Sequence, residues 1–128
     1  MKSTVLVVDD DEMLLHSLAE ILRSEHYQVI TAQNGGTALD VLAKTETPPA
    51  LILVDLVMPQ MDGGSFLRRK AEIESIARIP VLVLTAGRGD VVSPDVVGLL
   101  RKPFGIDELL HVVQTVERRV DDTIRIAN

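Results

Sequence analysis

The chain contains no cysteine. Disulfides and thiolate metal sites are therefore excluded, an absence that fits a reducing compartment. Basic residues are in the minority: 13 Lys and Arg against 19 Asp and Glu give a net charge of −6. A surface of that sign repels a phosphate backbone, which argues against nucleic-acid binding by this domain. Long apolar runs are missing too, and no stretch approaches the length that crosses a bilayer. The opening MKSTVLVVDD holds one lysine and a short apolar run before the acids Asp9, Asp10 and Asp11. That run is too short for the core of a signal peptide, so a soluble cytoplasmic protein with no membrane association is expected. There is no repeat, low-complexity stretch or interdomain linker. At 128 residues, 46% of them hydrophobic, the chain reads as one globular domain with a substantial core.

What is present is an alternation of strand and helix. Val5-Leu6-Val7-Val8 is a β-branched run that the three acids end. Leu14, Leu15, Leu18, Ile21 and Leu22 follow at helical spacing. Tyr27 to Ala32 reads as a second strand, Asn34-Gly35 as a turn, and Ala38, Leu39 and Leu42 as a second helix that Pro48-Pro49 breaks. Leu51 to Val54 is a third strand. After Asp62-Gly63, the residues Phe66, Leu67, Ala71, Ile73 and Ile76 predict a third helix that Pro80 stops. Val81 to Leu84 is a fourth strand and Leu99-Leu100 the core of a fifth. Ile106, Leu109, Leu110, Val113, Val116 and Val120 make a long final amphipathic helix. Strands that are apolar throughout belong to parallel sheets covered on both faces. The pattern therefore predicts a doubly wound α/β fold, whose site lies outside the carboxyl ends of the strands.

Polar residues mark those ends. Asp9 and Asp10 end the first strand, Asp55 the third, Thr85 the fourth and Lys102 the fifth. Three carboxylates brought to one sheet edge repel each other, and a hard divalent cation such as Mg²⁺ relieves the conflict through oxygen ligation. Lys102 supplies a point charge for a phosphate and Thr85 a hydroxyl donor. A carboxylate, a metal, a lysine and a hydroxyl together suit formation of an aspartyl phosphate, with Asp55 as the nucleophile.

The stretches VLVVDDDEMLL, TAQNGGTALDVL, LILVDLVMPQMDG, VLVLTA and RKPF, in this order and at these spacings, resemble the receiver domain of two-component response regulators. The resemblance covers nearly the whole chain, with residues 1–120 as receiver and 121–128 as an extension of the last helix or the start of a linker. It implies a CheY-like, flavodoxin-like sheet of five parallel strands in the order 2-1-3-4-5. It implies Asp55 as phosphoacceptor, taking a phosphoryl group from a sensor histidine kinase or phosphotransfer protein. Asp10 would ligate Mg²⁺ directly, Asp9 largely through water, and the backbone carbonyl of Val57 would complete the metal shell with Asp55. Thr85 would be the switch hydroxyl and Lys102 the phosphoryl's lysine, with a cis Lys102-Pro103 bond. Such a domain is a signalling switch rather than an enzyme, and it acts on an output domain or a downstream protein.

Two features depart from that family. Leu99 stands where the family usually has the aromatic half of its switch. The stretch AGRGDVVSPDVVGLL is short for the usual fourth helix, so that helix is expected to be shortened or missing. These departures support one alternative, a degenerate receiver that binds proteins without phosphorylation. A dehalogenase-like phosphatase, which also uses an Asp nucleophile, fits poorly: Asp9-Asp10-Asp11-Glu12 lacks that class's following Thr or Val. Small or apolar Val57 and Gly87 cannot position an attacking water, so a long-lived phosphoryl group is expected. Asp11 and Glu12 read as the cap of the first helix. His16, His26 and His111 read as solvated, as does the basic cluster Arg68, Arg69 and Lys70. Met58 and Met61 read as loop packing.

Overall fold

A computed structural model describes residues 3–56, 63–85 and 95–127. Its strands are β1 (Thr4–Val8), β2 (Gln28–Ala32), β3 (Leu51–Asp55), β4 (Val81–Thr85) and β5 (Val96–Arg101). They form one parallel sheet in the order β2-β1-β3-β4-β5. The helices among the described residues are α1 (Glu12–Ser24), α2 (Gly35–Lys44), α3 (Gly63–Ala71) and α4 (Ile106–Ala127). This is the doubly wound sheet that the sequence pattern predicts, in the strand order that the resemblance implies.

Successive strand side chains point to opposite faces, so each apolar strand feeds two cores. Val5, Val7, Leu53, Leu82, Leu84 and Leu100 pack on one face against Leu15, Leu18 and Leu22 of α1 and Leu109, Val113 and Val116 of α4. Leu6, Val8, Ile52, Val54, Val81 and Val83 pack on the other against Ala38 and Leu42 of α2 and Phe66 and Leu67 of α3. The central strands β3 and β4 are buried throughout. The register of β5 slips beside Val81 and Leu82 and skips Val97. Gly98 then lies close against the sheet, where an added Cβ would stand 2.9 Å from Leu82 Cδ1.

Helix starts follow short polar side chains. Asp11 caps α1 by accepting from the Leu14 amide at 3.2 Å, as predicted. Asn34 caps α2 by accepting from the Thr37 amide at 2.8 Å. Asn34-Gly35 is thus a helix start rather than the predicted turn, because Asn34 satisfies an amide that the first helical turn leaves open.

Two further expectations are corrected. The third helix ends at Ala71, and Ile73, Ile76 and Ile79 donate instead to residues three back in a run of tight turns. Ile76 and Ile79 are buried, but Ile73 is 41% exposed. Lys70 is not a solvated residue. It is wholly buried, and its ammonium donates to the Ala77 carbonyl at 2.8 Å and pairs with Asp95 at 2.5 Å. That pairing holds the turns after α3 against the residue that leads into β5. Arg68 and Arg69 are exposed, as are His16, His26 and His111. Ten residues, 86–95, join β4 to β5, where a parallel crossover takes about ten to twelve or more. The expectation of a reduced fourth helix falls on residues 86–94, outside those described, as do Met58 and Met61. Among the described residues no helix is long and apolar enough to cross a membrane.

Candidate phosphoacceptor and metal site

Each strand ends its apolar run at the same edge of the sheet, and the polar residue that follows sits there by register. Val8 pairs with Val54 and Asp55 with Leu84, so Asp9 and Asp55 are brought to adjacent strand ends. The Asp9 amide donates to the Ala32 carbonyl at 3.1 Å, which extends the β1–β2 ladder one residue and fixes the turn into α1. Asp9 Oδ1 accepts from the Asp11 amide at 2.9 Å. Asp9 is fully buried and Asp55 nearly so, while Asp10 faces solvent. One oxygen from each of Asp9, Asp10 and Asp55 lies within 4.8 Å of the others.

Lys102 approaches this acidic group from β5. Its amide donates to the Thr85 carbonyl at 2.7 Å, which ties the ends of β4 and β5 together. Its ammonium donates to Asp9 Oδ2 at 2.8 Å and lies 3.4 Å from Asp55 Oδ2. Burial pulls the pKa of that ammonium down, but the hydrogen bond to Asp9 and the charges of Asp9 and Asp55 outweigh it, leaving the pKa above the ordinary lysine value. Lys102 is therefore a cation set between two buried carboxylates. Thr85 is buried at the same edge. The Lys102-Pro103 peptide is cis.

The donor set suits a hard cation. Three carboxylates offer oxygen ligands only, and one of them remains open to solvent, which leaves room for the waters that Mg²⁺ keeps. One lysine against three carboxylates leaves a net negative site. Five of the sequence-derived site residues (Asp9, Asp10, Asp55, Thr85 and Lys102) therefore share one edge of the sheet. The sixth, Val57, lies outside the described residues, as does Gly87. Asp11 is occupied as the α1 cap and does not join the acidic group. Leu99, in the position of the family's aromatic, is 39% exposed on β5.

Pro103 enters the sequence analysis only through its cis bond, and Phe104 only as the end of RKPF; neither is placed at the site there. With Asp11, Leu14 and Lys102 they line an open cleft beside the site. The signal was present in RKPF, which names the residues that must follow Lys102 around the edge of the sheet.

Comparison with known proteins agrees with this geometry. A family model described as the response regulator receiver domain matches residues 5–114. The response regulator MprA of Mycolicibacterium vanbaalenii is 39% identical over 126 residues, covering 93% of this chain and 52% of that protein. The response regulator PleD of Caulobacter vibrioides is 41% identical over 92 residues, covering 70% of this chain and 20% of that protein. The chain thus spans about half the length of the first relative and a fifth of the second. Among solved structures, the chemotaxis protein CheY4 of Vibrio cholerae superposes with a TM-score of 0.77 at 29% identity, covering 91% of this chain and 99% of that one. The signal receiver domain of a signal transduction histidine kinase from Syntrophus aciditrophicus superposes with a TM-score of 0.79 at 26% identity, covering 93% and 92%. The sheet order, the acidic edge and these matches lead to one conclusion: this chain belongs to the response regulator receiver domain family.

Proposed function

We propose that this receiver works as a phosphorylation switch in which Asp55 is the phosphoacceptor. The observation that carries the reading is the placement of Lys102 between the carboxylates of Asp9 and Asp55, beside an exposed third acid. In the transfer, an Asp55 oxygen forms a bond to phosphorus as the P–N bond of a donor phosphohistidine breaks. The electron pair of that bond returns to the imidazole. Lys102 offsets the charge that accumulates on the phosphoryl oxygens, and the Thr85 hydroxyl can donate to one of them. Asp9, Asp10 and Asp55 would hold Mg²⁺, which when bound neutralises phosphoryl oxygens during transfer.

The donor is a sensor histidine kinase or a phosphotransfer protein, and the receiver acts on an output domain or a downstream protein. It is a switch that assists its own chemistry rather than an enzyme with turnover on a separate substrate. Intact-mass spectrometry after treatment with acetyl phosphate and Mg²⁺ tests this. The parent chain should gain one phosphoryl group, and Asp55→Asn should gain none. Unmodified parent protein that still binds Mg²⁺ would overturn the reading in favour of a receiver that binds partners without phosphorylation.

A further inference from the structure

We propose that one water molecule is held inside the domain between the Glu117 carboxylate of α4 and the Tyr27 hydroxyl, at the end of the sheet opposite Asp55. Tyr27 is buried immediately before β2. Its hydroxyl donates to Glu117 Oε1, 90 residues away in sequence, across a long 3.4 Å. The second oxygen, Glu117 Oε2, is buried and has no hydrogen-bond partner among the described residues. A carboxylate oxygen left dry in this way is costly, more so than a neutral acceptor.

Next to it lies a small cavity walled by Ser3, Tyr27 and Glu117 on its polar side and by Val5, Val113 and Val116 on its apolar side. The cavity offers about 20 Å³ to the centre of a water molecule. One water needs roughly 10–15 Å³ of such room and two to four polar partners. The space therefore has room for one water. A divalent ion would ask for about six oxygen ligands, and among the described residues the wall brings three polar ones. A water there donates to Glu117 Oε2, and Tyr27 and Ser3 line the same wall. Burial, then the charge and hydrogen bond of Glu117, push the Tyr27 phenol up to about 12, so its hydroxyl keeps its proton and remains a donor to Oε1. The water completes a joint at which the starts of β1 and β3 meet the middle of α4. This inference is independent of the chemistry at Asp55.

Two measurements on the intact chain test it. A crystal structure at atomic resolution should show a single peak within hydrogen-bond distance of Glu117 Oε2, on the cavity side. In solution, oxygen-17 magnetic relaxation dispersion should count one long-lived water fewer in Glu117→Leu than in the parent, and no fewer in Glu117→Gln, whose amide still bonds a water. The proposal is overturned if the parent cavity is empty at atomic resolution, if Glu117 turns to bulk solvent, or if the dispersion amplitude is the same in Glu117→Leu. Should Glu117→Leu fail to fold, the parent density still decides.

Discussion

His26 holds φ at 74°, in the left-handed region. It follows α1, where the Tyr27 amide donates to the Leu22 carbonyl and the His26 amide to the Arg23 carbonyl. That pair of bonds is the Schellman ending, which favours glycine at the position His26 occupies. Leu22 and Tyr27, its usual apolar partners, are both buried. The side chain of His26 is exposed, so replacing it removes no core contact. His26→Gly should therefore raise stability by about 1 kcal/mol, since glycine carries no left-handed penalty. Urea unfolding of the two chains measures it, with the midpoint moving up and the slope unchanged. At this scale the candidate site residues stood out in the sequence and His26 did not. A carboxylate that ends an apolar strand stands out against its neighbours, as Asp55 does. A histidine in a polar turn looks like any solvated histidine, and only the apolar pair four and one residues to either side hinted at the cap.

At the scale of elements, Lys70 and Asp95 join α3 to β5 across 25 residues of sequence. Lys70 is wholly buried, so Asp95→Ala leaves its ammonium with the Ala77 carbonyl alone. Breaking one side of a buried pair costs about 3–5 kcal/mol, whereas replacing both sides by apolar groups is often nearly neutral. Asp95→Ala should lose stability on that scale, and Lys70→Met with Asp95→Leu should recover most of it. A double-mutant cycle from thermal or urea unfolding gives the coupling, and a value near zero would show that the pair does not hold the two elements together. Burial also lowers the Lys70 pKa, against the pull of Asp95. The unfolded chain then binds more protons than the native one between the lowered value and the ordinary lysine value of about 10.4. Through that window this lysine makes stability rise with pH, and Lys70→Met should remove the rise. Lys102 has the opposite sign: its raised pKa gives a contribution complete below about 10.4 and lost as the pH climbs through its folded value. Sequence could not place Lys70 indoors, because two exposed arginines precede it and its partner is remote. The early stop of α3 has the same origin. Ile73 and Ile76 kept helical spacing, but the Lys70 contacts with Ala77 and Asp95 fold the chain into turns instead.

The whole molecule was the most legible level, and for a physical reason. Four-residue apolar runs such as Leu51 to Val54 satisfy only a strand buried on both faces, and the helices between them leave a parallel doubly wound sheet as the fold. The acidic edge then follows from register alone. That edge also gives the proposed metal site a test. Three carboxylates share it with one lysine, in a chain whose net charge is already −6. Without a cation the three carboxylates face a single lysine, which leaves two negative charges uncompensated at this edge. Asp55→Asn removes one charge from the group while leaving the 2.8 Å contact between Lys102 and Asp9. It should therefore raise cation-free stability by about 1 kcal/mol, a rise of roughly 4 °C in Tm for a domain of this size. Mg²⁺ at ten times its Kd should stabilise the parent by about 1.4 kcal/mol, and should stabilise Asp55→Asn much less. Calorimetric scans of both chains with and without Mg²⁺, at constant ionic strength, separate these effects from general screening. Equal shifts in the two chains would mean that the ion acts on the overall charge rather than at Asp55, and the metal assignment would fall with them.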